Sequence, residues 1–154
     1  MEKSFFFSSD KSPKNIQIKK DIINHFVNNG NDTIAELAKA LDLSVPTVTK
    51  LIAELSDRGL VADFGKIQTT GGRYPNVYGL NPSSVYFVGV DMTRHHLHIA
   101  LMDFKGNIVK YEMGISYMYE NTTESFEILC EHIQKFINGT GELKQKIYNI
   151  CLNI

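Results

Sequence analysis

The feature that most constrains this fold is a pair of short amphipathic segments separated by a three-residue turn, Asp42-Leu43-Ser44. The first segment opens with Thr33-Ile34-Ala35-Glu36, a capping box in which the threonine and glutamate satisfy each other's free backbone amides. In the second, Ser44 is a good N-cap, Pro46 fits the first turn and Gly59 ends the helix. Apolar residues recur at helical spacing in both, namely Ile34, Leu37, Ala38 and Leu41, then Val48, Leu51, Ile52 and Leu55. Two helices with facing apolar stripes and a tight turn form a helix-turn-helix.

The flanking segments extend this motif. A helix over 13–28 is predicted in front of it, with Ile18, Ile22, Ile23, Phe26 and Val27 on one face. Strands are predicted over 60–64 and 76–80, joined by a polar segment with paired glycines, residues 65–75. A hairpin directly after the third helix is the wing of a winged helix-turn-helix, and its glycines allow the backbone to approach a phosphate closely.

The face of the third helix opposite its apolar stripe predicts DNA contacts. Pro46, Thr47, Lys50 and Glu54 share that face, with Thr49 beside them. The first turn of such a helix normally meets base edges in the major groove, and a wing arginine suits a narrow minor groove. The candidate DNA-binding residues are Thr33, Ser44, Pro46, Thr47, Thr49, Lys50, Gly71, Gly72 and Arg73.

Bulk charge does not support nucleic-acid binding, because the 154 residues carry a net charge of −1. Residues 1–82 hold ten basic and nine acidic side chains, and residues 83–154 hold six and eight, so the first part is only slightly more basic. No apolar run is long enough to span a bilayer, and no signal peptide is recognisable, so a cytoplasmic protein without membrane contact is expected. Cys130 and Cys151 are then expected to be reduced core residues.

The pattern changes after about residue 82. Strands are predicted over 85–91, 96–102 and 107–115, with a turn at 103–107. A helix follows from Thr122 or Thr123, and an apolar strand begins at Ile147. The stripe predicted for that helix comprises Phe126, Leu129, Cys130, Ile133, Phe136 and Ile137. Such a β-β-β-α-β unit is expected to leave a sheet edge and a helix face exposed.

The sequence resembles the ROK family (repressors, open reading frames and sugar kinases). The resemblance lies first in TIAELAKALDLSVPTVTKLIAELSDRGLV and TTGGRYPNVYGLN, which are similar to the amino-terminal winged helix of that family. It continues in YFVGVDMTRHHLHIALMDFKGNIVKYE, which is similar to the first hairpin strands of that family's actin-like domain. The expected class is α+β and α/β: a flexible tail over 1–13, a winged helix-turn-helix over 14–82 and a truncated actin-like (ribonuclease H-like) domain over 83–154. The resemblance implies a carbohydrate-responsive repressor that binds an inverted repeat as a homodimer. A sugar effector is expected only if the remainder of the sensor domain exists.

No enzymatic activity is expected. ROK kinases carry a glycine-rich phosphate turn after the first strand, whereas this chain has Asp91-Met92-Thr93-Arg94-His95 there. No catalytic, cofactor or metal residue is therefore predicted: His95, His96 and His98 are interpreted as surface histidines, and Asp91 and Asp103 as strand-end and turn residues. Phe5-Phe6-Phe7 is interpreted as part of a disordered end.

Two alternatives remain open from the sequence. A sugar-kinase fragment predicts nucleotide-stimulated phosphoryl transfer, against which the missing glycines argue. A winged-helix module for protein contacts predicts a stable oligomer without salt-sensitive affinity for DNA.

Overall fold

The computed structural model describes residues 12–66 and 74–154. Contacts divide the chain into two compact units, Met1–Asn81 and Pro82–Ile154, one residue before the division expected from the sequence. Among the described residues, no helix is both long enough and apolar enough to cross a membrane.

Within residues 12–66 and 74–81, the first unit contains three helices and a small antiparallel sheet. The helices are α1 (Pro13–Asn29), α2 (Ile34–Ala40) and α3 (Val45–Asp57). The strands are β1 (Asp32–Thr33), β2 (Val61–Lys66) and β3 (Asn76–Leu80), in the order β1-β3-β2. Because β2 and β3 follow α3 directly and pair with each other, the predicted helix-turn-helix and wing strands are confirmed within the described residues.

Local side chains set the helix boundaries. The hydroxyls of Ser12, Thr33 and Ser44 each accept a backbone N–H at the start of α1, α2 and α3. At the end of α3, Gly59 adopts a φ of 71°, and the following amide, that of Leu60, donates to the Leu55 carbonyl. Since this left-handed conformation favours glycine, the predicted end of the third helix is confirmed.

The core of the first unit is formed mainly by the predicted stripes of α2 and α3. It comprises Ile22, Phe26, Leu37, Ala38, Val48, Leu51, Ile52, Leu55, Leu60, Val61 and Leu80. The prediction for α1 was wrong at Val27, which is 61% exposed, whereas Lys19 is fully buried. Ile22 and Phe26 of the predicted face are buried as expected, and Lys19, three and seven positions before them, joins them.

The second unit is a four-stranded sheet with one crossover helix. Its strands are β4 (Tyr86–Met92), β5 (His96–Asp103), β6 (Ile108–Ser116) and β7 (Ile147–Asn153). Helix α4 (Thr123–Asn138) and a short 3-10 helix (Gly141–Lys146) connect β6 to β7. The sheet order is β6-β5-β4-β7, with β4 and β7 parallel and the other pairs antiparallel, so the predicted β-β-β-α-β order is confirmed.

One buried cluster holds this unit together. It comprises Tyr86, Val88, Val90, Met92, Leu97, Ile99, Leu101, Tyr117, Leu129 and Phe136. The predicted stripe of α4 was wrong at Phe126, which is 61% exposed, and at Cys130, which is also exposed. Ser125 is buried instead, because its hydroxyl lies 2.8 Å from the Tyr117 hydroxyl and accepts the Glu120 amide. These contacts join the first turn of α4 to the segment that follows β6.

Cys151 is exposed as well, contrary to the prediction of a core thiol. It lies in β7, an edge strand of the sheet in which only Ile147 packs against the buried cluster. Exposed apolar side chains on β6 and α4, among them Tyr111, Met113 and Phe126, confirm the expected open sheet and helix surfaces within the described residues.

Candidate nucleic-acid interface

The outer face of α3 is the candidate surface. Its stripe of four aliphatic residues is buried to 2% exposure or less, which turns the opposite side of the helix away from the core. Pro46, Thr49 and Lys50 are exposed there and Thr47 is half-buried. The Lys50 side chain is 71% exposed, against 33% for Glu54 on the same helix. The helix therefore presents the polar residues expected from the sequence to its surroundings.

The hydroxyl groups of this face are held by local hydrogen bonds. The hydroxyls of Ser44 and Thr47 lie 2.8 Å apart, and the Ser44 hydroxyl also accepts the Thr47 amide at 3.4 Å. The Thr49 hydroxyl donates to the Val45 carbonyl at 2.8 Å. Each hydroxyl keeps acceptor capacity, so Thr49 in particular can accept a hydrogen bond from a base edge without breaking the helix.

The turn before α3 fixes how the helix leaves the core. Asp42 has a φ of 52°, a left-handed conformation that aspartate tolerates better than most residues. Around it, the Leu43 amide donates to the Ala38 carbonyl at 2.9 Å and the Asp42 amide to the Lys39 carbonyl at 3.4 Å. This is a Schellman-type end to α2, and it sets the angle between the two helices through the backbone.

Glu54 does not stand free on the outer face as the sequence predicted. Its Oε2 lies 2.6 Å from Nζ of the buried Lys19, so the carboxylate joins α3 to α1. Its other oxygen, Oε1, lies 4.0 Å from Nζ of Lys50, one turn earlier on α3. Sequence analysis missed Lys19 as a functional candidate. Its position, three residues before Ile22 and seven before Phe26, places it on the apolar face of the helix and could have indicated a buried charge.

Thr33 does not join this exposed surface. Its side chain is 5% exposed, accepts the Glu36 amide at 3.2 Å and donates to the Glu36 carboxylate at 2.8 Å. The predicted capping box is therefore confirmed, and it occupies the hydroxyl that was a candidate for DNA contact. Thr33 is accordingly placed as a structural cap, buried at the start of α2.

The base of the wing is described on both strands. Asn76 Nδ2 of β3 donates to the Asp63 carboxylate of β2 at 2.5 Å, and the Gly65 amide donates to the same carboxylate at 2.8 Å. Gly65 adopts a φ of 90°, which bends the strand where the pairing becomes irregular. The remaining candidates, Gly71, Gly72 and Arg73, lie outside the described residues.

A cleft of about 630 Å³ separates α3 from the base of the wing. Thr33, Val45 and Thr49 line its helical side, and Tyr74 and Asn76 line its wing side. Tyr74 is 53% exposed and Val45 is 50% exposed. The outer face of α3 and the base of the wing thus border one concave surface within the first unit.

The candidates in the second unit do not assemble into a site. Asp103 accepts the Lys105 and Asn107 amides in the turn, and Asp91 accepts Asn153 Nδ2 at 2.7 Å. They lie at opposite ends of the β4–β5 pair. Across the described ranges, no group of three or more His, Cys, Asp or Glu side chains could hold a metal ion.

Comparison with known proteins agrees with this geometry. A MarR family profile matches residues 18–63. The match begins within α1, includes α2 and α3, and ends within β2. The xylose repressor of Caldicellulosiruptor bescii is 25% identical over 119 residues, covering 77% of this chain. The chain carries a MarR-type winged-helix domain and is homologous to xylose repressors. The xylose repressor of Bacillus subtilis strain 168 is 27% identical over 120 residues, again covering 77% of the chain.

A solved structure resembles most of the chain. It is described as a ROK family transcriptional regulator, homologous to the E. coli MLC protein, with a TM-score of 0.65 and 19% identity. The match covers 90% of this chain and 35% of that structure, so the fold of both units resembles the corresponding part of that regulator. The chain spans 30% and 31% of the lengths of the two xylose repressors.

Proposed function

We propose that this chain is the DNA-binding part of a transcriptional regulator of the ROK and xylose-repressor type. The observation that carries the proposal is the polar outer face of α3, with Thr49 and Lys50 exposed and Thr47 half-buried; paired wing strands follow this helix and border a cleft with it. A winged helix with an exposed polar third helix is suited to entering a major groove.

In the proposed complex, α3 lies in the major groove and the wing lies against the adjacent backbone. Thr47 and Thr49 contact base edges or a thymine methyl, and Lys50 contacts a phosphate or a guanine edge. Ser44 and Pro46 lie at the start of the helix, beside the phosphate backbone. Gly71 and Gly72 allow close approach of the wing, and Arg73 enters the minor groove.

The wider role proposed is repression of carbohydrate-use genes. Two relatives are named xylose repressors, which makes xylose and related pentoses the first effectors to test. We propose that the protein binds an inverted-repeat operator as a homodimer, since two-fold symmetric regulators match two half-sites. The second unit is proposed to be the opening of an actin-like sensor domain, with a sugar response only in a protein that includes its remainder. No catalytic role is proposed, and the cytoplasm is the proposed location.

The experiment begins with selection of bound sequences from a random duplex library, followed by fluorescence anisotropy on the enriched site across a salt series. Lys50→Ala and Arg73→Ala each remove one positive charge from the proposed interface, and each is expected to reduce the slope of log K against log salt by about 0.9. Lys144→Ala, an exposed lysine of the second unit, is the matched control and leaves the slope unchanged.

Enrichment of no sequence, or an affinity insensitive to salt, would overturn the proposal. A stable oligomer with that behaviour would instead indicate the protein-contact module. Enrichment with an unchanged slope in both variants would leave DNA binding in place and refute the assigned face.

A further inference from the structure

Three charged side chains form a line from the core of the first unit to the outer face of α3. Lys19 is fully buried in α1, Glu54 is 33% exposed, and Lys50 is 71% exposed. The separations are 2.6 Å from Lys19 Nζ to Glu54 Oε2 and 4.0 Å from Lys50 Nζ to Glu54 Oε1. The buried lysine is therefore much closer to the carboxylate than the exposed lysine is.

The position of Glu54 on α3 calls for an explanation. A carboxylate one turn from a DNA-facing lysine repels phosphates and can draw that lysine into an intrahelical i, i+4 pair. A short contact with a buried ammonium group offsets the carboxylate charge from the protein side, where solvent does not screen it. With Glu54 in this contact, Lys50 Nζ lies 4.0 Å from Glu54 Oε1, which is too long for a hydrogen bond.

We propose that Lys19 is a positioning residue for DNA binding: it neutralises Glu54 from inside the fold and so keeps Lys50 available for the phosphate backbone. This inference rests on the proposed function. By this inference, a residue of α1 controls the charge that the outer face of α3 presents to DNA, although α1 itself contributes no residue to that face. The three side chains together contribute a charge of +1 when all are ionised.

Substitutions in this line change that charge in a defined order. Lys19→Met lowers it to zero and leaves Glu54 to pair with Lys50. Glu54→Gln raises it to +2, and the double variant Lys19→Met/Glu54→Gln restores +1 with Lys50 unpaired by Glu54. A role confined to stability predicts a different pattern: loss of either partner of the ion pair lowers the free energy of unfolding, but the DNA affinity of the folded protein stays unchanged.

The test measures DNA affinity and its salt dependence for these three variants on the full chain, at a temperature where circular dichroism shows each to be folded. Lys19→Met is expected to bind about eightfold more weakly at 0.1 M salt, the effect of one phosphate contact, with a slope shallower by about 0.9. Glu54→Gln is expected to bind at least as tightly as the unmodified chain, and the double variant is expected to recover its affinity and slope. Lys14→Met, an exposed lysine of the same helix, is the control for removal of a charge from α1.

The outcomes distinguish failure of this inference from failure of the proposed DNA-binding function. If the unmodified chain binds no DNA, the proposed function fails. If it binds, but Glu54→Gln weakens binding as Lys19→Met does, or the double variant fails to recover, then the charge of these three side chains does not control DNA binding and the inference is overturned. An unchanged affinity in Lys19→Met would also overturn it.

Discussion

Replacing Thr33 separates its structural and DNA-binding interpretations. Thr33→Ala removes the hydroxyl that caps α2 and a buried methyl group, at a residue only 5% exposed. Loss of the cap costs about 1 kcal/mol and loss of the methyl about 0.8 kcal/mol, so the free energy of unfolding should fall by about 2 kcal/mol. For a unit of this size, that corresponds to a decrease of about 8–16 °C in melting temperature.

Thermal denaturation followed by circular dichroism at 222 nm measures this change, and hydrogen exchange at the Leu37 and Ala38 amides assigns it to α2. Thr33→Ser is the matched variant, since it keeps the cap and loses only the methyl group, with an expected cost of about 0.8 kcal/mol. DNA affinity, measured where both variants are folded, should stay within about twofold of the unmodified chain, as expected for a side chain without a DNA contact. An unchanged melting temperature together with a large loss of affinity would refute the structural assignment and restore Thr33 to the interface.

Four further substitutions test the second unit by chemical denaturation. Ser125→Ala removes a hydroxyl that accepts the Glu120 amide and donates to the Met118 carbonyl, and it should cost about 2 kcal/mol. Tyr117→Phe should cost about 1 kcal/mol, and equal costs in the two variants would contradict the assigned network. Phe136→Ala, at a side chain 1% exposed, should cost about 4 kcal/mol, and a cost below about 1 kcal/mol would show that this ring is not in the core. Gly106→Ala should cost about 1 kcal/mol, because its φ of 82° is strained for alanine although nothing lies near an added Cβ; a neutral result would place the strain elsewhere.

The helix-turn-helix could be predicted from sequence because its signals are local. The capping hydroxyls of Thr33 and Ser44 act within three residues, and the spacing of the aliphatic stripes fixes which side of each helix is buried. The same argument placed Thr47 and Lys50 on the outer face of α3. For this reason the face proposed for DNA is also the best-predicted part of the fold.

The features that sequence analysis missed depend on partners distant along the chain. The buried ammonium group of Lys19 is stabilised by Glu54, which lies on another helix. At the start of α4, the Ser125 hydroxyl lies 2.8 Å from the Tyr117 hydroxyl, so the serine is buried there while the neighbouring Phe126 is exposed. Hydrophobic spacing alone defines a stripe only to within about one position, or 100° of helix rotation.

Amide chemical-shift mapping during titration with the selected duplex tests the central claim most directly. The account predicts that the largest chemical-shift changes fall at residues 44–50 and at the base of the wing, residues 64–66 and 74–76. The amide chemical shifts of β6 and α4 should not change. Shifts concentrated on β6 and α4, with α3 unmoved, would contradict it.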